Sequence, residues 1–177
     1  MPGFEIILRA PEPSDIELLY QWENDPEIWK VSNTTTPFSK YLLEKYIENA
    51  HLDIYQVKQL RLMIEVNEDS QEKKTIGIVD LFDFDPYHLR AGVGILIGNK
   101  SDRRRGYATK ALKILIAYCF DTLQLHQLFC NITIDNNESL KLFKKCGFVV
   151  TGHKADWIKT TDGYTEELLL QLINTRR

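Results

Sequence analysis

The chain has 177 residues, of which 44% are hydrophobic and 27% are charged, and its formal net charge is −3. This length is sufficient for a proper hydrophobic core, so we expect one domain over residues 1–177. The small negative charge does not favour nucleic acid or an anionic membrane as a partner, and no apolar run approaches the ~20 residues of a membrane-spanning helix.

The chain up to residue 97 predicts one strand, then two helices, then three strands. Apolar residues alternate with polar ones in the strand segments and recur every three to four residues in the helical segments. Ser14 or Asp15 is placed to cap the first helix, which we expect to end near Asn24. The polar run 68–74 and a turn near Asp85-Pro86 are predicted to connect the three strands as hairpins. The predicted elements are the strand 4–8, the helices 14–24 and 39–51, and the strands 60–66, 76–85 and 91–97.

The second half of the chain alternates helices with strands. The helix 106–123 is the clearest element, because its apolar residues follow a single helical stripe. A strand over 128–134 comes next, and Asp135-Asn-Asn-Glu138 resembles a capping box that opens a helix ending at Gly147. A final hairpin joins 148–159 to 164–173 through Asp162-Gly163. The order β-α-α-β-β-β-α-β-α-β-β predicts an α+β (mixed α/β) fold with antiparallel hairpins on either side of one βαβ unit.

The cysteines and histidines indicate neither a disulfide framework nor a metal site. Cys119, Cys130 and Cys146 are widely spaced and form no CxxC pair, and the four histidines show no metal-ligand spacing. The first 13 residues lack the basic region and long apolar stretch of a signal peptide. We therefore expect a protein of the reducing cytoplasm that binds no metal.

The segment Arg103-Arg-Arg-Gly-Tyr-Ala108 lies between a predicted strand and the long helix, and it has the chemistry of an anion site. The first turn of a helix leaves about four backbone N–H groups without partners, and these carry roughly half a positive charge. Gly106 lets the chain turn tightly and lets a phosphate approach the backbone. Taken alone, the segment is explained equally well as a solvated loop that enters a helix.

The surroundings of this segment favour the anion site. Upstream, 92–98 reads GVGILIG, and glycines within a strand indicate a bulge or a close approach to the backbone. Downstream, Asn136 is followed at fixed spacing by Phe143 and then by Gly147-Phe148. The pattern strand, Q/R-x-x-G-x-G/A, helix, then strand, N-x(6)-Y/F-x-x-x-G-F, resembles the GNAT superfamily of acyl-CoA-dependent N-acyltransferases. Over nearly the whole chain, the similarity is to the branch of ribosomal-protein N-terminal and spermidine (diamine) acetyltransferases.

The resemblance implies a fold, a reaction and a set of binding residues. The GNAT fold is a mostly antiparallel sheet that is splayed around one βαβ unit and flanked by helices. The reaction is direct transfer of an acetyl group from acetyl-CoA to a primary amine on a polyamine, another small molecule or a peptide N-terminus. Strand backbone would bind the pantetheine arm, and N–H groups of the arginine segment would hold the pyrophosphate. The residues assigned to CoA in this way are Val93, Gly94, Ile95, Leu96, Ile97, Arg103, Arg104, Arg105, Gly106, Tyr107, Ala108, Thr109, Asn136 and Ser139.

Two positions depart from the family pattern. Phe143 stands where the family usually has tyrosine, and Gly92 stands where spermidine-type relatives commonly have glutamate. A thiol pKa near ~8.5 makes a thiolate a tolerable leaving group, so we expect the missing hydroxyl to slow the reaction without abolishing it. Phe143 is expected to pack beside the thioester. Asp80 and Asp83 are candidate bases, and pairing with an arginine or a backbone N–H is the alternative for each.

Other functions remain open at this point. A GNAT-fold sensor or interaction module that binds acyl-CoA without transfer is consistent with both departures. A nucleic-acid binder built on Arg103–Arg105 is opposed by the net negative charge and by the absence of interleaved aromatic residues. Glu23, Asp25 and Glu27 either attract a cationic acceptor or lie at an exposed helix end. A homodimer is compatible with the sequence, and nothing in the sequence decides it.

Overall fold

The computed structural model describes residues 3–32, 34–68 and 72–175. Its strands are β1 (Phe4–Arg9), β2 (Leu60–Glu68), β3 (Lys74–Asp85), β4 (Arg90–Ile97), β5 (Gln127–Thr133), β6 (Val149–Thr160) and β7 (Gly163–Ile173). They form one seven-stranded sheet in the order β1-β2-β3-β4-β5-β7-β6. Neighbouring strands are antiparallel except β4 and β5, which are parallel. The predicted mixed fold around one βαβ unit is confirmed.

The described helices are α1 (Ile16–Glu23), α2 (Pro26–Ser32), α3 (Lys40–Glu48), α4 (Ile54–Val57), α5 (Tyr107–Ala117) and α6 (Asn137–Lys145). The short helices α2 and α4 were not predicted. Both start at an aspartate: the Asp25 carboxylate accepts a hydrogen bond from the N–H of Glu27, and Asp53 accepts from two N–H groups of α4. These caps satisfy first-turn donors in helices too short to show a periodic pattern.

Two predicted helix caps differ in part from the structure. Asp15 is the N-cap residue of α1, as predicted, but its side chain makes no bond to the first turn of that helix. Asp15 ends a 3₁₀ turn before α1, and its carboxylate accepts hydrogen bonds from the Arg9 guanidinium (2.7 and 2.9 Å) and the Glu12 N–H (2.8 Å). A buried carboxylate is stabilised better by a bidentate arginine than by a cap alone. Asn136, one residue after the predicted Asp135, caps α6 by accepting from the N–H of Ser139 at 3.2 Å.

Two further boundaries differ from the prediction. The helix expected over 106–123 is α-helical only to Ala117, and a π-helical turn over Tyr118–Thr122 follows. The two turn residues of the final hairpin are Thr161 and Asp162, and not the predicted Asp162 and Gly163, because Gly163 already pairs with Thr160 in the sheet. The predicted turn near Asp85 is confirmed by its bonds to the two N–H groups that follow. Residues 69–71 of the predicted loop 68–74 lie outside the described residues.

The sheet is covered on both faces, and β4 contributes to both cores. On one face, α5 and α6 pack on the sheet in a core that includes Val93 and Ile97. On the other face, α1–α3 form a second core in which Leu96 packs beside Trp22 and Ile78. Burial on both sides fixes the strand that is predicted to meet the cofactor. Among the described residues, no helix has the length and apolarity to cross a bilayer.

Candidate active site

The strands β4 and β5 separate in the middle of the sheet. Within the described residues they pair only where Arg90–Gly92 meets Gln127–Phe129. Beyond this point a cavity of about 110 Å³ opens between them, and it is closed on one side by α6. The backbone of β4 that faces β5 is therefore open to a ligand over the rest of the strand. The cavity is lined by Val93, Gly94, Ile95, Cys130, Asn131, Ile132, Thr133, Asn136, Ser139, Phe143 and Glu167.

A larger cleft of about 990 Å³ adjoins this cavity and shares four lining residues with it. It runs from the end of β4 to the first turn of α5 and is bordered by α2 and α6. Most of the residues predicted to bind CoA line it: Ile95, Leu96, Ile97, Arg103, Arg104, Gly106, Tyr107, Ala108, Thr109, Asn136 and Ser139. Val93 and Gly94 line the smaller cavity instead, and Arg105 is not among the described residues lining either one.

The loop before α5 has the backbone conformation of an anion site. Arg104 (φ 63°) and Gly106 (φ 87°) are both in the left-handed region. Such residues turn successive N–H groups toward a common concave surface, which suits an anion. Gly106 is also the N-cap residue of α5, and it has no side chain that could cap the helix. The first-turn N–H groups of α5 therefore face the cleft together with the positive end of the helix dipole.

Each of the three arginine side chains holds this loop to a different element. Arg103 donates to the carbonyl oxygens of Ile97 (3.2 Å) and Gly98 (3.3 Å) at the end of β4. Arg104 donates to Glu138 in α6, and this ion pair lowers the pKa of the Glu138 carboxyl. Arg105 donates to Glu68 at the end of β2 (2.9 Å). These side-chain bonds hold the loop in place against β4, α6 and β2.

Tyr107 anchors the same loop from the core side. Its ring is 2% exposed and packs edge-on against Phe4, with 4.8 Å between the ring centroids. Its hydroxyl donates to Glu68, the residue that also binds Arg105. Burial, together with this hydrogen bond, raises the pKa of Tyr107 to about 12. No pattern in the sequence indicated this arrangement, because Glu68 lies 39 residues from Tyr107 in the chain.

The two candidate bases lie in different environments. Both carboxylate oxygens of Asp80 bind the Arg61 guanidinium, at 2.7 and 3.1 Å, so the arginine alternative holds for this residue. Arg61 also binds the buried Glu23 at 2.5 Å. Asp80 lies directly opposite Gly94 across the β3–β4 pair. Asp83 is exposed, with φ 47°, where the register of β3 shifts.

The absence of a side chain at Gly92 has a structural partner. A Cβ atom there would lie 2.2 Å from the ring of Phe82. That ring packs edge-to-face on Phe129 with 5.8 Å between centroids. Phe82 thus fills the space that a glutamate at position 92 would need. Sequence reasoning identified Gly92 as a departure from the family and missed the aromatic pair that accompanies it.

Phe143 is a packing residue at the wall of the smaller cavity. Its side chain is 3% exposed and meets Phe148 edge-to-face at 5.0 Å between centroids. Ser139, one helical turn earlier, lines the same cavity. The end of this cavity nearest α6 therefore presents an aromatic ring and one hydroxyl.

Residues 5–149 match the family model for the acetyltransferase (GNAT) domain. The chain belongs to the GNAT acetyltransferase family. It is an N-acetyltransferase that uses acetyl-CoA as the acetyl donor. In this GNAT protein, the separated strands β4 and β5 and the loop before α5 border the two cavities.

Known proteins similar to this GNAT chain include enzymes named for spermidine. It is 26% identical over 149 residues to the spermidine N(1)-acetyltransferase of Vibrio cholerae, covering 84% of this chain and 82% of that protein. The structure of Vibrio cholerae spermidine N-acetyltransferase with CoA and spermine superposes with a TM-score of 0.82 at 23% identity, covering 95% of both chains. A dodecameric structure of the Vibrio cholerae enzyme gives 0.75 at 22% identity, covering 97% and 95%. These likenesses to solved structures confirm the predicted fold.

Proposed function

We propose that this GNAT acetyltransferase acetylates a cationic primary amine of the polyamine class. The observation that carries the proposal is the separation of β4 and β5 beside the left-handed loop of α5. This places an open strand edge and an anion site next to each other along the 990 Å³ cleft. A long molecule with a phosphate end and an amide-containing arm matches both features.

CoA is proposed to lie along this cleft. The N–H groups of Arg104, Arg105, Gly106 and Ala108 would hold its pyrophosphate, and β4 from Val93 to Ile97 would pair with its pantetheine arm. Asn136 and Ser139 would border that arm. The acetyl group would enter the 110 Å³ cavity, where a β4 N–H stabilises the oxyanion that develops on the thioester carbonyl.

The acceptor is proposed to approach from the face that α1–α3 cover. There the Glu23 and Asp80 carboxylates share the single guanidinium of Arg61, so the cluster keeps one net negative charge. A net negative charge beside the cavity favours a cationic amine. The spermidine enzymes among the relatives support the same acceptor class. Asp80 and Asp83 stay predictions as proton acceptors.

A thiol-release assay with acetyl-CoA across polyamines, amino acids, aminoglycosides and peptides tests this proposal. We expect turnover that depends on the amine, with di- and polyamines giving the highest kcat/KM. Calorimetric binding of CoA without turnover on any amine would instead support the silent acyl-CoA-binding module. Turnover confined to peptide N-termini would contradict the polyamine assignment.

Phe143→Tyr is expected to raise kcat, by at most about 100-fold, with the KM for acetyl-CoA unchanged. A hydroxyl at this cavity wall can protonate the departing thiolate, and general acid catalysis contributes about 10²–10⁴-fold where it is needed. Steady-state kinetics of both proteins on the same amine provide the measurement. An unchanged kcat would show that another group already supplies this proton.

We also propose a cellular location and an assembly state for the protein. A reducing cytoplasm is supported by three free cysteines, two of which are buried with the pKa of the thiol raised to about 12 by burial. Self-association as a homodimer or a larger assembly is supported by the dodecameric Vibrio cholerae structure and by the exposed edge strand β6.

A further inference from the structure

Glu167 is a buried carboxylate at the point where the sheet opens. It lies on β7 opposite Thr133 and is 5% exposed. Its side chain lines the 110 Å³ cavity together with Gly94 and Phe143. Among the described residues that line this cavity it is the acidic one. A carboxylate with so little solvent contact must be stabilised by an ion pair or by hydrogen bonds.

Lys154 on β6 is that partner. Its ammonium binds one Glu167 oxygen, Oε2, at 2.7 Å and the Asn131 side-chain oxygen at 2.8 Å. It also lies over the Trp157 ring, 5.0 Å from the centroid. These three contacts hold the ammonium in place, and its bond to Oε2 in turn orients the Glu167 carboxylate. Lys154 binds the carboxylate through Oε2 alone, which leaves Oε1 without a bond to this ammonium.

The other candidate acids are less well placed to receive a proton. Asp80 has both oxygens bound by the Arg61 guanidinium, which cannot give up its own proton. Asp83 is exposed and lines neither cavity in the described part of the chain. Position 92, where relatives commonly have glutamate, is glycine and is covered by Phe82. Among these acids, Glu167 is the one that is buried, lines the cavity and pairs with a cation through one carboxylate oxygen.

We propose that Glu167 accepts the proton of the acceptor ammonium during acetyl transfer, with Lys154 as its positioning residue. This inference rests on the proposed function, because it needs the acetyl group in the cavity between β4 and β5.

The proton balance of the step is complete with this one acid. Glu167 takes one proton from the ammonium, and the neutral amine then forms a C–N bond to the thioester carbon. The C–S bond breaks, and the sulfur leaves as a thiolate with the bonding electron pair. A second N–H proton goes to this thiolate, one hydrogen remains on the amide nitrogen, and Glu167 returns its proton to solvent.

Few of the described side chains around Glu167 can carry a charge. Lys154 is the charged side chain in contact with it. β5 contributes the thiol of Cys130, whose pKa is raised to about 12 by burial, and the other residues that β4, β5 and α6 contribute to the cavity carry no charge at neutral pH. His153 and Glu166 pair with each other on the other face of the hairpin, because neighbouring residues of a strand alternate between faces. Under the proposal, Glu167 is therefore the acid at this cavity, within the described residues, whose protonation would lower kcat on the acid limb of the pH–rate profile.

Glu167→Gln is the direct test, with Glu166→Gln as the matched control on the opposite face. We expect kcat to fall by about 100-fold or more, with the acid limb lost, while the calorimetric Kd for CoA is unchanged. Glu166→Gln should keep the kcat and pH profile of the wild type. Asp80→Asn should raise the KM of the acceptor and keep the acid limb.

Lys154→Met tests the inference through a protein that retains Glu167. Loss of the neighbouring cation raises the pKa of a carboxylate, so the acid limb should move to higher pH. A merely structural role would lower the Tm without moving the limb. The inference is overturned if Glu167→Gln keeps wild-type kcat and pH profile, or, where that variant does not fold, if Lys154→Met leaves the limb in place. A wild type without turnover on any amine would overturn the proposed function and this inference together, whereas an active Glu167→Gln overturns only the inference.

Discussion

Replacing Gly106 by aspartate will weaken CoA binding by at least about 100-fold while leaving the chain folded. A carboxylate at this position lies beside the proposed pyrophosphate site, and two like charges about 4 Å apart near a protein surface repel by about 4 kcal/mol. The positive φ of position 106 strains any residue with a side chain, so the Tm should fall, but the chain should still fold because aspartate tolerates positive φ better than most residues. A Cβ at position 106 would meet its nearest neighbour, Phe4, only at 3.8 Å. Calorimetric titration with CoA gives the affinity, and thermal unfolding gives the stability.

The matched control for this variant is Gly163→Asp. Gly163 also has positive φ (141°), and a Cβ there would have no neighbour within 4 Å. The substitution makes the same change in charge at the tip of the β6–β7 hairpin, away from the cleft. Its affinity for CoA should equal that of the wild type. Equal loss in the two variants would mean that net charge, and not the α5 loop, governs CoA binding.

Gly77→Ala will destabilise the fold by about 3 kcal/mol, at the upper end of the usual range for overpacking. A Cβ at this position of β3 would lie 2.1 Å from the carbonyl oxygen of Leu96. The obstacle is backbone, and β4 cannot retreat because its side chains are packed on both faces of the sheet. Chemical denaturation of the variant and the wild type measures the difference in the free energy of unfolding.

Gly94→Ala is the stability control, because it makes the same change on the adjacent strand. Its Cβ would meet the Asp80 Cβ at 3.8 Å, an ordinary contact. We expect its free energy of unfolding to stay within about 1 kcal/mol of the wild type, as is usual where no named source of strain exists. If the two variants have the same free energy of unfolding, β3 and β4 do not approach each other as closely at Gly77 as described.

Periodic and positional patterns in the sequence predicted most of the architecture. Alternation of apolar and polar residues, together with the turn signals near Asp85 and at Asp162-Gly163, predicted all seven strands. The long stripe of α5 was equally clear, and Ala111, Leu112 and Leu115 are buried as expected. The helices α2 and α4 were missed because, at seven and four residues, they are too short to repeat a pattern.

The candidate site was predictable where it depends on backbone, and not where it depends on distant side chains. Gly106 and the order of the motifs predicted an anion site at the loop where the structure has Arg104 and Gly106 in the left-handed region, and the binding of an anion there stays a prediction. The partner of Asp80, by contrast, lies 19 residues away on β2, and the partner of Glu167 lies 13 residues away on β6. Cross-strand pairs of this kind depend on register, which alternation alone does not fix. For the same reason Phe82 could not be connected with Gly92 before the register was known.

The short parallel ladder between β4 and β5 has a consequence for the assembly of the molecule. Three residue pairs join the N-terminal meander β1–β4 to the three C-terminal strands. The sheet is in effect two smaller sheets, connected by this ladder and by α5. In the proposed complex, the pantetheine arm would pair with β4 beyond Gly92 and would replace the missing part of the ladder, so that CoA would also hold the two parts of the sheet together. Stability against heat should then follow CoA concentration by mass action, reaching about 2.7 kcal/mol at 100 times its Kd.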